Sequence, residues 1–100
     1  MTQPQQPPHG DALSAFLVER YLSPAAAVDL AASTSRMARL CADGEVRYLY
    51  SAYLPAEDTC FCLFQAPSAG AVRAVNQQAH FDFDRLIDAV VLHGRQGRSS

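Results

Sequence analysis

Two cysteines separated by one residue, Cys60-Phe61-Cys62, are the first positions in this sequence whose types and spacing bear on chemistry. On an extended strand, residues i and i+2 project side by side from one face, and paired thiolates suit soft or borderline metal ions. Structural zinc takes such pairs twice over, two to four residues apart, whereas this chain has one pair; buried thiols acting as small hydrophobes are the competing reading. Glu19 interrupts the apolar run Phe16-Leu17-Val18-Glu19-Arg20-Tyr21-Leu22 and shares a strand face with Leu17 and Tyr21. Either it approaches Cys62 on one side and Asp88 on the other, gathering two carboxylates and a thiol, or it is an edge carboxylate paired with Arg20, Arg47 or Arg85. His80 directly precedes Phe81-Asp82-Phe83-Asp84. It either joins Asp82 or Asp84 around an ion or sits as a cation at a helix C-terminus. His9 and His93 fall near the two ends of the chain, so a rigid three-histidine site is not expected. Ser51 or Cys62 as a nucleophile would need His80 as its base, and no nucleophile-elbow sequence surrounds either, which argues against a hydrolase. Tyr48 and Tyr50, expected on one strand face, are core or interface rings or, with Ser51, the stacking surface of a small-molecule site.

The elements that must position these residues follow from periodicity. Residues 15–22, rich in aromatic and branched side chains, read as a strand that stops at Ser23-Pro24. Ser23 suits an N-cap and Pro24 the first helical position. The alanine-rich stretch from Pro24 to Ala42 predicts one helix, with Val28, Ala31, Ser35, Ala38 and Ala42 as its small-residue stripe, flanked by Leu30, Met37 and Cys41, and Asp43-Gly44 as its stop. Residues 46–54 predict a second strand, Pro55-Ala56-Glu57-Asp58 a turn, and Thr59 to Ala66 a return strand ended by Pro67. Ser68 caps a second helix, 69–80, that turns Val72, Val75 and Ala79 inward and Arg73, Asn76 and Gln77 outward; Leu86 to Leu92 is the last strand.

Strand, helix, strand, strand, helix, strand is the split βαβ arrangement, so the expected fold class is α+β: a ferredoxin-like βαββαβ domain over residues 14–93, a four-stranded antiparallel sheet in the order 4-1-3-2 with two helices on one face. Residues 1–13 read as a disordered leader and 94–100 as a disordered tail. The helix-free face should alternate with polar residues, yet both faces are apolar: Phe61 and Leu63 point one way, Cys60, Cys62 and Phe64 the other. An apolar face of that size predicts a sheet-to-sheet homodimer, isologous about a two-fold axis, burying roughly 1,200–2,000 Å² in total.

Composition removes several function classes. All eight basic residues are arginine, so lysine Schiff-base chemistry and a lysine-dependent phosphate loop are excluded. A net charge of −2 with scattered arginines offers no stripe for nucleic acid. No apolar run is long enough to span a membrane, the start lacks a signal peptide, and three cysteines in this arrangement do not suit a disulfide framework; a cytoplasmic address is expected.

From about Phe16 to Val91 the chain resembles a family of small bacterial ferredoxin-like proteins that includes a nickel-binding member. The likeness rests on Val18-Glu19-Arg20, on Val46-Arg47-Tyr48 with Ser51 and Tyr53, on Cys62-Leu63-Phe64-Gln65-Ala66-Pro67 and on Asp84-Arg85-Leu86. It implies a dimeric α/β-barrel-like assembly of two ferredoxin-like units and the binding of a transition metal such as Ni²⁺, and it does not imply an enzyme activity. With the polar residues set among apolar ones, it points to Glu19, Cys62, His80 and Asp82 as metal ligands in a non-catalytic dimer. The alternative is a small-molecule-binding or enzyme module using a cavity between sheet and helices, with Tyr48, Tyr50 and Ser51 at the ligand.

Overall fold

The computed structural model describes residues 13–92; His9, His93, the expected tail and all but the last residue of the expected leader lie outside them. Four strands, β1 (Ser14–Tyr21), β2 (Arg47–Leu54), β3 (Thr59–Ala66) and β4 (Arg85–Ala89), alternate with helices α1 (Pro24–Ala27), α2 (Leu30–Cys41) and α3 (Ala69–Gln78). The sheet is antiparallel with the order β2-β3-β1-β4, as the split βαβ reading requires.

Local chemistry starts and stops these elements. The Ser23 Oγ accepts the Ala26 N–H at 3.2 Å with Pro24 behind it, and the Ser68 Oγ accepts the Ala71 N–H at 3.2 Å. Each satisfies a donor that the first helical turn leaves without a partner. Between β2 and β3 the chain makes a 3₁₀ turn at Pro55–Glu57 and closes on Asp58 in the left-handed region, which aspartate tolerates better than most residues.

Pairing decides which side chains share a face. β1 meets β3 with Phe16 opposite Phe64, Val18 opposite Cys62 and Arg20 opposite Cys60. Those apolar side chains form the core with Met37 and Cys41 of α2 and Val72 and Val75 of α3. Phe64, fully buried and stacked on Tyr48 at 5.4 Å between ring centroids, sits at its centre. Burying a phenylalanine contributes about 1.5–3 kcal/mol, and truncating it to alanine costs about 3–5 kcal/mol. The opposite face carries Ala15, Leu17, Glu19 and Tyr21 of β1, Thr59, Phe61, Leu63 and Gln65 of β3, and Arg85, Ile87 and Ala89 of β4, with none of the described helices over it.

Four sequence expectations are corrected. The single helix 24–42 is interrupted at Val28-Asp29, where Asp29 takes φ −96° and ψ 5°, so Val28 is exposed. That break resets the helical phase, and the buried stripe becomes Ser33, Met37 and Cys41 with Leu30 half-buried; Ala31, Ser35, Ala38 and Ala42 face away. Asn76 is fully buried because its amide donates to the Val72 carbonyl at 2.8 Å within its own helix. The last strand ends at Ala89, leaving Val90 to Leu92 outside the sheet.

Candidate functional site

Glu19 is placed by the centre of the sheet. Flanked by Phe61 of β3 and Arg85 of β4, its carboxylate points to the helix-free face with its side chain 11% exposed. The Arg85 Nη1 lies 3.1 Å from Glu19 Oε1 as an ion pair, but the two are not aligned as a hydrogen bond, so Oε1 is buried without a donor. Tyr21, two residues on and on the same face, donates its hydroxyl to Glu19 Oε2 at 3.2 Å. Asp84 fixes this corner: its N–H donates to the Glu19 carbonyl at 2.8 Å and its carboxylate accepts the Tyr21 N–H at 2.7 Å. The corner is a carboxylate held in place by one guanidinium and one phenol, and of the two readings of Glu19, the structure supports the pair with Arg85.

Cys62 lies on the other side of the sheet. Its pairing with Val18 and Ser51 directs it toward the helices, where it is buried. Ser51 donates to the Cys62 sulfur at 2.9 Å and is hydrogen-bonded to the Tyr48 hydroxyl. Its side-chain contact with Cys60 and its burial both push the Cys62 thiol well above the ordinary thiol range, and the same contact pushes the Cys60 thiol down; burial alone raises Cys41, and burial is the largest cause raising Tyr48. High thiol pKa values mean little thiolate, so this line of Tyr48, Ser51 and Cys62 is a packing network with weak nucleophiles.

The expected approach of Glu19 to Cys62 and Asp88 is therefore corrected. Asp88 pairs with Phe16 and Cys62 with Val18, both on the helix side, while Glu19 is on the open side. Tyr48 and Tyr50 also part company. A bulge at Leu49 shifts the register, so Tyr48 pairs with Phe64 on the helix side and Tyr50 with Leu63 on the open side. The set Tyr48, Tyr50 and Ser51 is thus split, with Tyr48 and Ser51 together and Tyr50 across the sheet.

His80 follows α3 in the left-handed region at φ 57° and lines a cavity with Arg20 and Arg36, whose positive charges disfavour a cation there. Asp82 is exposed beside Arg73, Phe81 and Phe83. The four expected metal ligands are not assembled within one chain, and among the described residues no three His, Cys, Asp or Glu side chains are grouped to hold an ion. The donors among the described residues of one chain do not by themselves fit a divalent ion; the nearest approach is the undonated, buried Oε1 of Glu19. Sequence reading passed over Arg20 and Arg36 as binding groups because they come together only when β1, α2 and the end of α3 are packed. Among the described residues no helix is long and apolar enough to cross a membrane.

With this geometry in hand, residues 16–88 match the family model described as nickel responsive protein SCO4226-like. The crystal structure of SCO4226 from Streptomyces coelicolor A3(2) is similar to this chain with a TM-score of 0.69 and 21% identity, covering 80% of this chain and 100% of that one. At that identity the likeness establishes the shared fold. A search of the curated proteins gives no match.

Proposed function

We propose, from the premise that the chain belongs to the SCO4226-like family of nickel-responsive proteins, that it is a non-catalytic homodimer that binds Ni²⁺ on the sheet face its helices leave open. The observation that carries the reading is that face itself. Leu17, Phe61 and Ile87, each half-buried, run across its centre with the buried Leu63, and Tyr21, Tyr50 and Leu54 stand exposed at its margins. Apolar surface of this extent favours a partner, and a second copy is the partner that offers the same pattern in reverse about a two-fold axis. The Glu19–Arg85 pair keeps the middle of the face near neutral, so two copies approach without charge repulsion. The assembly is then the dimeric α/β-barrel-like pairing of two ferredoxin-like units.

The described residues of one chain supply a single buried carboxylate to this face; a two-fold axis supplies it twice. Glu19 is accordingly the proposed nickel ligand, a carboxylate being a donor that Ni²⁺ accepts, while Cys62, His80 and Asp82 take no part. Arg85 competes with the ion for Glu19 Oε1. A non-catalytic role suits the two candidate nucleophiles, since Ser51 donates a hydrogen bond to Cys62 and is hydrogen-bonded to Tyr48, with no imidazole in the line. A cytoplasmic location suits three buried, unpaired thiols.

Tag-free, reduced protein titrated with Ni²⁺ by calorimetry tests the metal, and sedimentation equilibrium tests the assembly. The expected result is saturable binding that Glu19→Gln abolishes, in a protein that sediments as a dimer. Absence of saturable binding overturns the nickel reading, and a stable single subunit at micromolar concentration overturns the dimer.

A further inference from the structure

On the helix side of the sheet, remote from the face carrying Glu19, a cavity of about 460 Å³ opens among Arg20, Asp29, Leu30, Ser33, Arg36 and His80. Two guanidiniums reach it from different elements, Arg20 from the helix-facing side of β1 and Arg36 from the middle of α2. Both are held in position before any ligand arrives. Arg36 donates from Nε to the Ala79 carbonyl at 3.0 Å and from Nη2 to Ser33 Oγ at 3.4 Å, and Arg20 lies over the Phe81 ring at 5.0 Å from its centroid. Neither has a carboxylate within ion-pair distance among the described residues, where the one ion pair is Glu19–Arg85; Asp29 lines the same cavity but stays out of reach of both. Two fixed, like charges facing one cavity repel each other, and an anion between them removes that repulsion. His80 completes the wall from a left-handed backbone position that ordinarily goes to glycine at a helix end.

We propose that this cavity binds a small metabolite through an oxyanion group, held by Arg20 and Arg36 with His80 as a third donor. Guanidiniums present planar pairs of N–H donors that match two oxygens of a phosphate or a carboxylate, and pre-positioning lowers the entropy lost on binding. The volume falls within the range of small-molecule sites and exceeds what a bare oxyanion needs. Leu30 and Asp29 also line the cavity, the first offering apolar surface and the second an acceptor for a hydroxyl or amine of the same ligand. The same charges that favour an anion explain why His80 is a poor nickel ligand, and the inference stands whether or not the open face binds metal.

The test uses the full, tag-free chain, with inorganic phosphate, glycerol phosphate and succinate as probes, followed by amide chemical shifts. Saturable shifts confined to residues near 20, 29–36 and 79–81 are expected, with phosphate esters ahead of succinate if the source is a phosphate and the reverse order if it is a carboxylate. Arg20→Gln is expected to weaken the preferred probe about tenfold to a hundredfold. Because Arg36 also caps the end of α3, the second variant is His80→Gly, which suits the left-handed backbone: it should raise the melting temperature and still weaken binding severalfold. No saturable binding by any probe at about 10 mM, or affinity unchanged in both variants, overturns the proposal.

Discussion

Replacing Tyr50 with alanine probes the open face without touching the core. Tyr50 is 57% exposed on edge strand β2 and faces away from the helices. If a tyrosine has about 200 Å² to bury, a partner covering the exposed part removes about 115 Å² from water, given the 57% exposure. At about 25 cal/mol per Å² that is about 3 kcal/mol for each copy, and symmetry counts it twice. Interfaces realise only part of such area because ordering side chains costs entropy, so a net loss of about 2–3 kcal/mol is expected, weakening the dimer about 30-fold to 150-fold. Sedimentation equilibrium over a dilution series reads the dissociation constant directly, and thermal melting checks that each variant is folded. Tyr21→Ala, 55% exposed on the same face, provides an independent copy of the experiment. Dissociation constants unchanged in both variants, with folding intact, would refute the covered-face argument.

Removing the Arg85 guanidinium, 3.1 Å from Glu19, should tighten Ni²⁺ binding about threefold to tenfold in a calorimetric titration, because the ion no longer competes for Oε1; unchanged or weaker affinity would count against Glu19 as a ligand. Burial alone holds the Cys41 thiol above the ordinary range. The native thiol therefore stays protonated where the unfolded chain ionises. Its contribution to stability is unaffected below about pH 8.5 and falls above it by up to about 1.4 kcal/mol per pH unit. Urea denaturation from pH 8 to 10 should show the slope, and Cys41→Ala should reduce it; an unchanged slope would refute the burial argument. Asn76 is fully buried with its Oδ1 unpartnered, so Asn76→Leu should leave stability unchanged or raise it by about 1 kcal/mol; a loss above about 2 kcal/mol in denaturant titration would reveal an unrecognised partner.

Much of the scaffold can be read directly from side-chain types. The Ser23-Pro24 and Ser68 caps, the turn at Pro55 to Asp58 and the extent of β3 are local chemistry, and local chemistry is visible one segment at a time. The alternation within each strand is equally legible: Cys60, Cys62 and Phe64 on one side of β3, Leu17, Glu19 and Tyr21 on one side of β1. What alternation could not decide was which side of β1 shares a face with which side of β3. Register is pinned by hydrophobic pattern only when one face is polar, and here both are apolar, so Glu19 and Cys62 looked like neighbours until backbone pairing separated them. The bulge at Leu49 parted Tyr48 from Tyr50 in the same way, by one inserted residue with no turn chemistry to announce it.

The amino-acid sequence by itself thus determined the order of strands and helical stretches, the antiparallel sheet and the presence of an apolar second face, but neither the break within the first helical stretch nor the end of the last strand; what it determined depends on interactions between residues close along the chain or on a fixed handedness of connection. Tertiary structure alone decided where the polar groups meet: Glu19 with Arg85 across β1 and β4, and Arg20, Arg36 and His80 around one cavity. Those groups lie far apart along the chain, and their distances are set by strand register, by the break at Val28-Asp29 and by the packing of helices on the sheet.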